Sequence, residues 1–136
     1  MSTYEGGCLC GAVRYRATGP ASNATLCHCH SCRKASAAPM VAWVTFPRAG
    51  FVLTGAEPVR YRSSPQVVRS FCGRCGTPIG YARDDEPETL DVTTLSLDRA
   101  GDFPPADQTW TADAVAWERT IGALPRHRGR RSEPDE

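Results

Sequence analysis

Long apolar runs are missing from this sequence. None approaches the roughly 20 residues a helix needs to cross a bilayer. Met1 leads into Ser2, Thr3, Tyr4, Glu5, Gly6 and Gly7 without the basic start and apolar centre of a secretory signal. A cytoplasmic protein with no membrane partner is the expectation. A surplus of either charge is missing too: 16 Lys and Arg against 15 Asp and Glu leave a formal charge of +1, which argues against a nucleic-acid partner drawn by net charge. No internal repeat is present, which excludes a solenoid. Aromatic residues make up only 8% of the 136 residues. One domain with a modest core is expected, at a size where metal staples add appreciably to stability.

What the chain has in excess is cysteine. The seven thiols are an odd count, in a chain that begins without an export signal. Reduced thiols engaged in metal ligation or thiol chemistry are therefore expected rather than a disulfide framework. Three thiols and two imidazoles crowd into Cys27, His28, Cys29, His30, Ser31, Cys32, Arg33 and Lys34, a density suited to a borderline-soft ion such as zinc. The other four form two glycine-flanked pairs, Cys8 and Cys10 in a CxC and Cys72 and Cys75 in a CxxC.

The seven thus divide into four and three. Four thiolates from Cys8, Cys10, Cys72 and Cys75 fill a tetrahedral zinc, which makes that site structural. Cys27, Cys29 and Cys32 supply three ligands to a second zinc and leave its fourth position to water or substrate, the arrangement of a catalytic ion. A substrate thiol suits such an ion, which favours sulfur and holds it as thiolate. The competing reading is a second closed site with His28 or His30 as fourth ligand. Those imidazoles alternate with the cysteines and, on an extended backbone, face away from the sulfurs, so they are read as neighbours of the site. Ionising seven thiols and adding two divalent ions would take the formal charge from +1 to −2.

Short alternating or branched runs separated by Gly, Pro and Ser predict a mainly β chain. They are Val13 to Thr18, Ala24 to Leu26, Met40 to Phe46, Phe51 to Thr54, Val59 to Arg62, Val67 to Phe71, Ile79 to Ala82 and Leu90 to Leu95. Ser31 to Ala38 predicts a short helix that places Cys32 near its N-terminus, where backbone N–H groups favour thiolate. Pro104 to Asp107 reads as a linker, followed by a helical turn over Asp113 to Arg119. Trp43, Phe46, Phe51, Trp110 and Trp117 are the expected aromatic core. Residues 1–125 form the expected domain, and 126–136 an expected disordered tail whose Arg-rich start ends in acidic residues.

Three blocks, Gly7 to Val13, Cys27 to Lys34 and Phe71 to Pro78, give the chain a resemblance to the glutathione-dependent formaldehyde-activating enzyme family, which includes centromere protein V. The resemblance covers roughly residues 5 to 125. It implies small antiparallel sheets stapled by zinc, a β-tent, with one or two short helical turns. It implies two zinc ions per chain: structural at Cys8, Cys10, Cys72 and Cys75, catalytic at Cys27, Cys29 and Cys32. The implied activity is that of a carbon-sulfur lyase that condenses formaldehyde with glutathione, its small-molecule thiol partner, to S-hydroxymethylglutathione. Many members carry a histidine shortly before the C-terminal tryptophan block, where this chain reads Asp107, Gln108, Thr109 and Trp110. Two functional readings follow: a zinc enzyme acting on a thiol adduct, with His28, His30 and Arg33 as the protic groups nearest in sequence, or a non-catalytic zinc-stapled module that binds a protein or nucleic acid.

Overall fold

In the computed structural model, which describes residues 1–131, ten strands make two sheets. The smaller sheet contains β1 (Thr3–Gly7), β2 (Arg14–Thr18) and β5 (Phe51–Leu53), antiparallel in the order β1-β2-β5. The larger contains β3 (Ser22–Cys27), β4 (Val41–Pro47), β6 (Val59–Ser64), β7 (Val67–Phe71), β8 (Pro78–Arg83), β9 (Thr89–Thr93) and β10 (Asp107–Thr109), in the order β10-β3-β4-β9-β8-β7-β6. Its pairings are antiparallel except the outermost, where β10 runs parallel to β3. One α-helix, α1 (His30–Ser36), interrupts the strands; the C-terminal region adds 3-10 turns, including Thr111–Asp113 and Ala116–Ala123.

Alternation explains β2: Tyr15 and Ala17 are buried while Arg16 is exposed, the period of a strand with one wet face. β4 is different. Val41, Trp43, Val44, Thr45 and Phe46 are all buried, as a strand covered on both faces requires. On one face Val44 and Phe46 join the main core with Val13, Tyr15, Ile79, Val92, Leu97 and Phe103. On the other, Val41 and Trp43 pack with Cys27 and Cys32. β4 is thus the wall between the packed interior and the cysteine triad.

β1 meets the segment after β9 where Gly6 bridges Leu97. A Cβ on Gly6 would lie 2.5 Å from the Tyr15 ring and 2.6 Å from the Ser96 carbonyl oxygen, so the crossing needs glycine. Beneath it, Ser96 Oγ donates to the Thr93 carbonyl at 2.7 Å and lies 2.7 Å from the Tyr15 hydroxyl. Burial pushes the Tyr15 phenol up to about 12, so at neutral pH it remains a hydrogen-bond donor.

Several expectations need correction. β1 is not among the expected strands; Thr3 to Gly7 is extended because it finds its partners across the sheet in Arg14 to Thr18. β10 begins inside the expected linker; Asp107 to Thr109 is too short to show a pattern and is fixed by register against Thr25, Leu26 and Cys27. The C-terminal helical turn is 3-10 over Thr111–Asp113 and Ala116–Ala123. Phe46 and Trp43 are buried and Phe51 packs against the core, but Trp110 is 67% and Trp117 58% exposed, because the last segment lies outside both hydrophobic clusters. In the expected tail, residues 126–131 are exposed and form neither strand nor helix; 132–136 lie outside the described residues. Among the described residues, no helix is long and apolar enough to cross a membrane.

Phe46→Ala should cost about 3–5 kcal/mol of unfolding free energy, whereas Trp117→Ala should stay within about 0.5 kcal/mol. Denaturant titration of the two variants checks the division, and equal losses would contradict it.

Candidate metal centres

The first cluster is built by two similar knuckles. After β1 the chain turns through Cys8 to Gly11, with the Gly11 N–H donating to the Cys8 carbonyl at 3.1 Å and the Val13 N–H donating to Cys8 Sγ at 3.2 Å. After β7 it turns through Cys72 to Gly76, with the Gly76 N–H donating to the Cys72 carbonyl at 2.9 Å and the Arg74 and Cys75 N–H groups aimed at Cys72 Sγ. Gly11 and Gly76 both have φ of +82°, the left-handed conformation that closes each knuckle and that a side chain would strain. The Leu9 N–H donates to Thr77 Oγ1 at 3.1 Å and latches one knuckle to the other.

The Sγ atoms of Cys8, Cys10, Cys72 and Cys75 consequently lie within 4.8 Å of one another. Cys8 and Cys10 are 3.6 Å apart, Cys10 and Cys72 3.8 Å. A disulfide would need about 2.05 Å, whereas metal–sulfur bonds of about 2.3 Å in a tetrahedron set the sulfurs about 3.8 Å apart. The donor set fits a tetrahedral thiophilic ion. Without one, its thiols are strongly unequal: the Thr77 hydroxyl and N–H hold Cys75 down to about 5. Cys10 accepts from the Ala12 N–H, but its sulfur neighbours outweigh that bond and push it up to about 11.

The second cluster sits at the end of β3. Cys27 is the last residue of β3; Cys29 caps α1, its Sγ accepting the Cys32 N–H at 3.3 Å. The helix ends at Ala37, in the left-handed conformation, before Pro39. The Sγ atoms of Cys27, Cys29 and Cys32 lie within 4.8 Å of one another, spacing that fits three corners of such a tetrahedron. Burial pushes the Cys32 thiol up to about 12, Cys29 adding to the rise and Arg69 opposing it.

Among the described residues, this cluster contains no imidazole. His28 is fully buried and points to the other side of the loop, where its Nε2 lies 2.7 Å from Gln108 Oε1. β10 sets that pairing by placing Thr109 opposite Cys27 and its carbonyl 3.0 Å from the His28 N–H. Arg33 Nε donates to the His28 carbonyl at 3.3 Å. Of these three groups, only His30 lines the space beside the triad.

That space is a cavity of about 530 Å³ bordered by Cys27, Cys29, Cys32, Trp43, Arg69 and Tyr81. None of the four clustered cysteines of the first group lines it. Arg69 Nη2 donates to Cys32 Sγ at 3.6 Å while its guanidinium carbon lies 5.1 Å from the Tyr81 ring centroid. Trp43 and Tyr81 are in turn 5.8 Å apart. Sequence reasoning missed Arg69 and Gln108. Arg69 is one of several arginines in alternating strands, and Gln108 sits in a three-residue strand; neither carries a local signal.

The family model for glutathione-dependent formaldehyde-activating enzymes matches residues 3–113. Among curated proteins, the chain is similar to an uncharacterized lyase of Schizosaccharomyces pombe, with 33% identity over 82 residues, 60% of this chain and 59% of that protein. The chain thus spans less than two thirds of that relative. Among solved structures, a crystal structure of a Rhodobacter sphaeroides protein aligns with a TM-score of 0.63 and 22% identity, covering 77% of this chain and 99% of the other. That likeness concerns the fold.

The cavity also exposes a pH-sensitive group. Thr45 Oγ1 donates to Asp91 Oδ1 at 2.6 Å. Burial, with Glu86 adding to it and the Thr45 bond opposing, holds the Asp91 carboxyl above the usual carboxylate range. Because the folded value is the higher one, the stability this group contributes is complete below the unfolded value and is lost as pH rises through the folded one. Asp91→Asn should therefore gain stability relative to the parent protein as pH is raised from about 4 to about 7. Paired denaturant titrations check this, and a stability difference that is flat or falls with pH would contradict it.

Proposed function

Because the chain belongs to the glutathione-dependent formaldehyde-activating enzyme family, we propose that it is a zinc-dependent carbon–sulfur lyase acting on a thiol adduct. Glutathione plus formaldehyde, giving S-hydroxymethylglutathione, is the reaction assigned first. The observation that carries this reading is the contrast between the clusters: three sulfurs line the cavity of about 530 Å³, and the other four do not. Cys8, Cys10, Cys72 and Cys75 would hold a structural zinc with a complete ligand set. Cys27, Cys29 and Cys32 would hold the catalytic zinc and leave one position to the substrate. When bound there, the ion supplies Lewis acidity that keeps a sulfur nucleophile deprotonated near neutral pH.

The reaction asks for a carbon–sulfur bond between the thiol sulfur and the aldehyde carbon. The carbonyl π pair moves to oxygen, which takes up a proton, and the reverse reaction breaks the same bond. Residues of this chain provide the setting. Arg69, donating to Cys32 Sγ, offsets negative charge on the triad, and its place over Tyr81 fixes the guanidinium plane. Trp43 and Tyr81 form an aromatic wall beside the sulfurs. His30, Thr45 and Asp91 are protic groups bordering the same space. Holding a thiol and an aldehyde together against this wall is itself a large part of the acceleration. A reducing compartment such as the cytoplasm keeps the seven thiols available.

Protein purified without chelator should contain two zinc ions per chain. Structural zinc contributes about 10–16 kcal/mol in zinc-finger peptides, comparable with the about 5–15 kcal/mol of a whole domain, so Cys72→Ser should unfold the protein. Cys29→Ser should remain folded, lose one zinc and lose at least about a hundredfold in activity, the scale of an essential catalytic group. Metal analysis, circular dichroism and magnetisation-exchange NMR of 13C-formaldehyde with glutathione check these outcomes. Exchange no faster than the spontaneous reaction would overturn the proposed activity.

A further inference from the structure

His28 stands between two of the triad's cysteines and is held at every polar group but one. Its N–H donates to the Thr109 carbonyl at 3.0 Å, and its own carbonyl accepts from Arg33 Nε at 3.3 Å. In the ring, Nε2 lies 2.7 Å from Gln108 Oε1. An amide oxygen only accepts, so the imidazole donates from Nε2. Nδ1 is buried and has no partner, which leaves Gln108 as the ring's single hydrogen-bond partner among the described residues.

The two ends of that bond differ in exposure. His28 is 0% exposed, whereas Gln108 is an exposed residue, so the amide covers a buried ring N–H from the solvent side. An apolar group of the same length in its place would leave both ring nitrogens buried and unpaired, with the full desolvation penalty of an unmade hydrogen bond. Turning the imidazole outward would relieve that penalty, but residue 28 does not turn without shifting Cys27 and Cys29 on either side of it. The sulfurs of Cys27, Cys29 and Cys32 lie within 4.8 Å of one another, a spacing that a thiophilic ion needs kept. β10 is only three residues long and lies at the edge of the large sheet, so a side-chain bond weighs more there than in a central strand.

We propose that Gln108 is a positioning residue for the metal of the triad: by accepting from His28 Nε2 it fixes the backbone between Cys27 and Cys29 and raises that site's affinity for zinc. The inference rests on the proposed zinc at Cys27, Cys29 and Cys32 and deepens it by assigning that site a residue beyond its ligands. The hydrogen bond acts here, not the bulk of the side chain. Hydrogen-bonding and packing roles therefore order two substitutions oppositely. Gln108→Met keeps the length and removes the acceptor, while Gln108→Ala opens space in which water reaches Nε2 and accepts in the amide's place.

Chelator-competition titration of the zinc-loaded protein tests this without reference to activity. Zinc at the triad should bind about tenfold more weakly in Gln108→Met, about threefold more weakly in Gln108→Ala and within about twofold of the parent in Gln108→Glu, which keeps an acceptor oxygen; losing an outer partner of a metal ligand typically costs about 10–100-fold. In a Cys29→Ser background, where the remaining zinc is that of the four-cysteine site, Gln108→Met should leave the affinity unchanged. Parental affinity in Gln108→Met, a larger loss in Gln108→Ala than in Gln108→Met, or a Gln108→Glu protein as weak as Gln108→Met would overturn the positioning role. A parent protein that holds a single zinc would overturn it together with the proposed function. The expected order of affinities in a protein that fails to accelerate the formaldehyde exchange would uphold the positioning role and remove the lyase reading.

Discussion

Four sulfurs gathered within 4.8 Å of one another are the constraint on which the rest of the fold depends. They come from the turn after β1 and the turn after β7, with Cys10 and Cys72 62 positions apart in sequence, so the knot closes a large part of the chain. As thiolates at about 3.8 Å, each pair would repel by about 4 kcal/mol even at an effective dielectric of 20. A divalent cation at their centre reverses the sign of that balance. The hydrogen bonds around them already point the right way: backbone N–H groups of Val13, Arg74 and Cys75 are directed at the sulfurs of Cys8 and Cys72, a pattern that stabilises charged sulfur.

From that knot the fold passes its order to the triad through β4. Its inward face packs Val44 and Phe46 into the core together with Tyr15 of the small sheet and Phe103. Its outward face carries Trp43, against which Cys27 and Cys32 pack. The triad is therefore mounted on a rigid strand and a short capped helix, as a site that must hold its geometry requires. Arg69, on β7, then meets Cys32 from the opposite side. β10 closes the loop from behind, with Gln108 occupying His28. The imidazole is thereby turned from the sulfurs, and the space beside them stays lined by Trp43, Arg69 and Tyr81.

The division of the cysteines into four and three was legible because ligand spacing is a local property, and each pair or trio lies within a single turn. Most strands were legible for the same reason: β2 alternates and β4 is continuously apolar. The unread parts are set at long range. β1 and β10 acquire their conformation from register against β2 and β3, and nothing in Thr3 to Gly7 or Asp107 to Thr109 signals it alone. Trp110 and Trp117 suggested core by residue type, yet the segment that carries them runs over the surface. Arg69 looked like any outward-facing arginine until the sheet brought it to Cys32, 37 residues away.

The central claim is that one cluster completes a metal's shell while the other leaves room for a substrate sulfur, and zinc-edge X-ray absorption tests it most directly. With both clusters loaded, the mean sulfur count per zinc should be about 3.5 and should rise to about 4 when glutathione is added. A count that stays fixed on adding the thiol, with a nitrogen ligand completing the second shell, would contradict the claim and leave the protein a stapled scaffold.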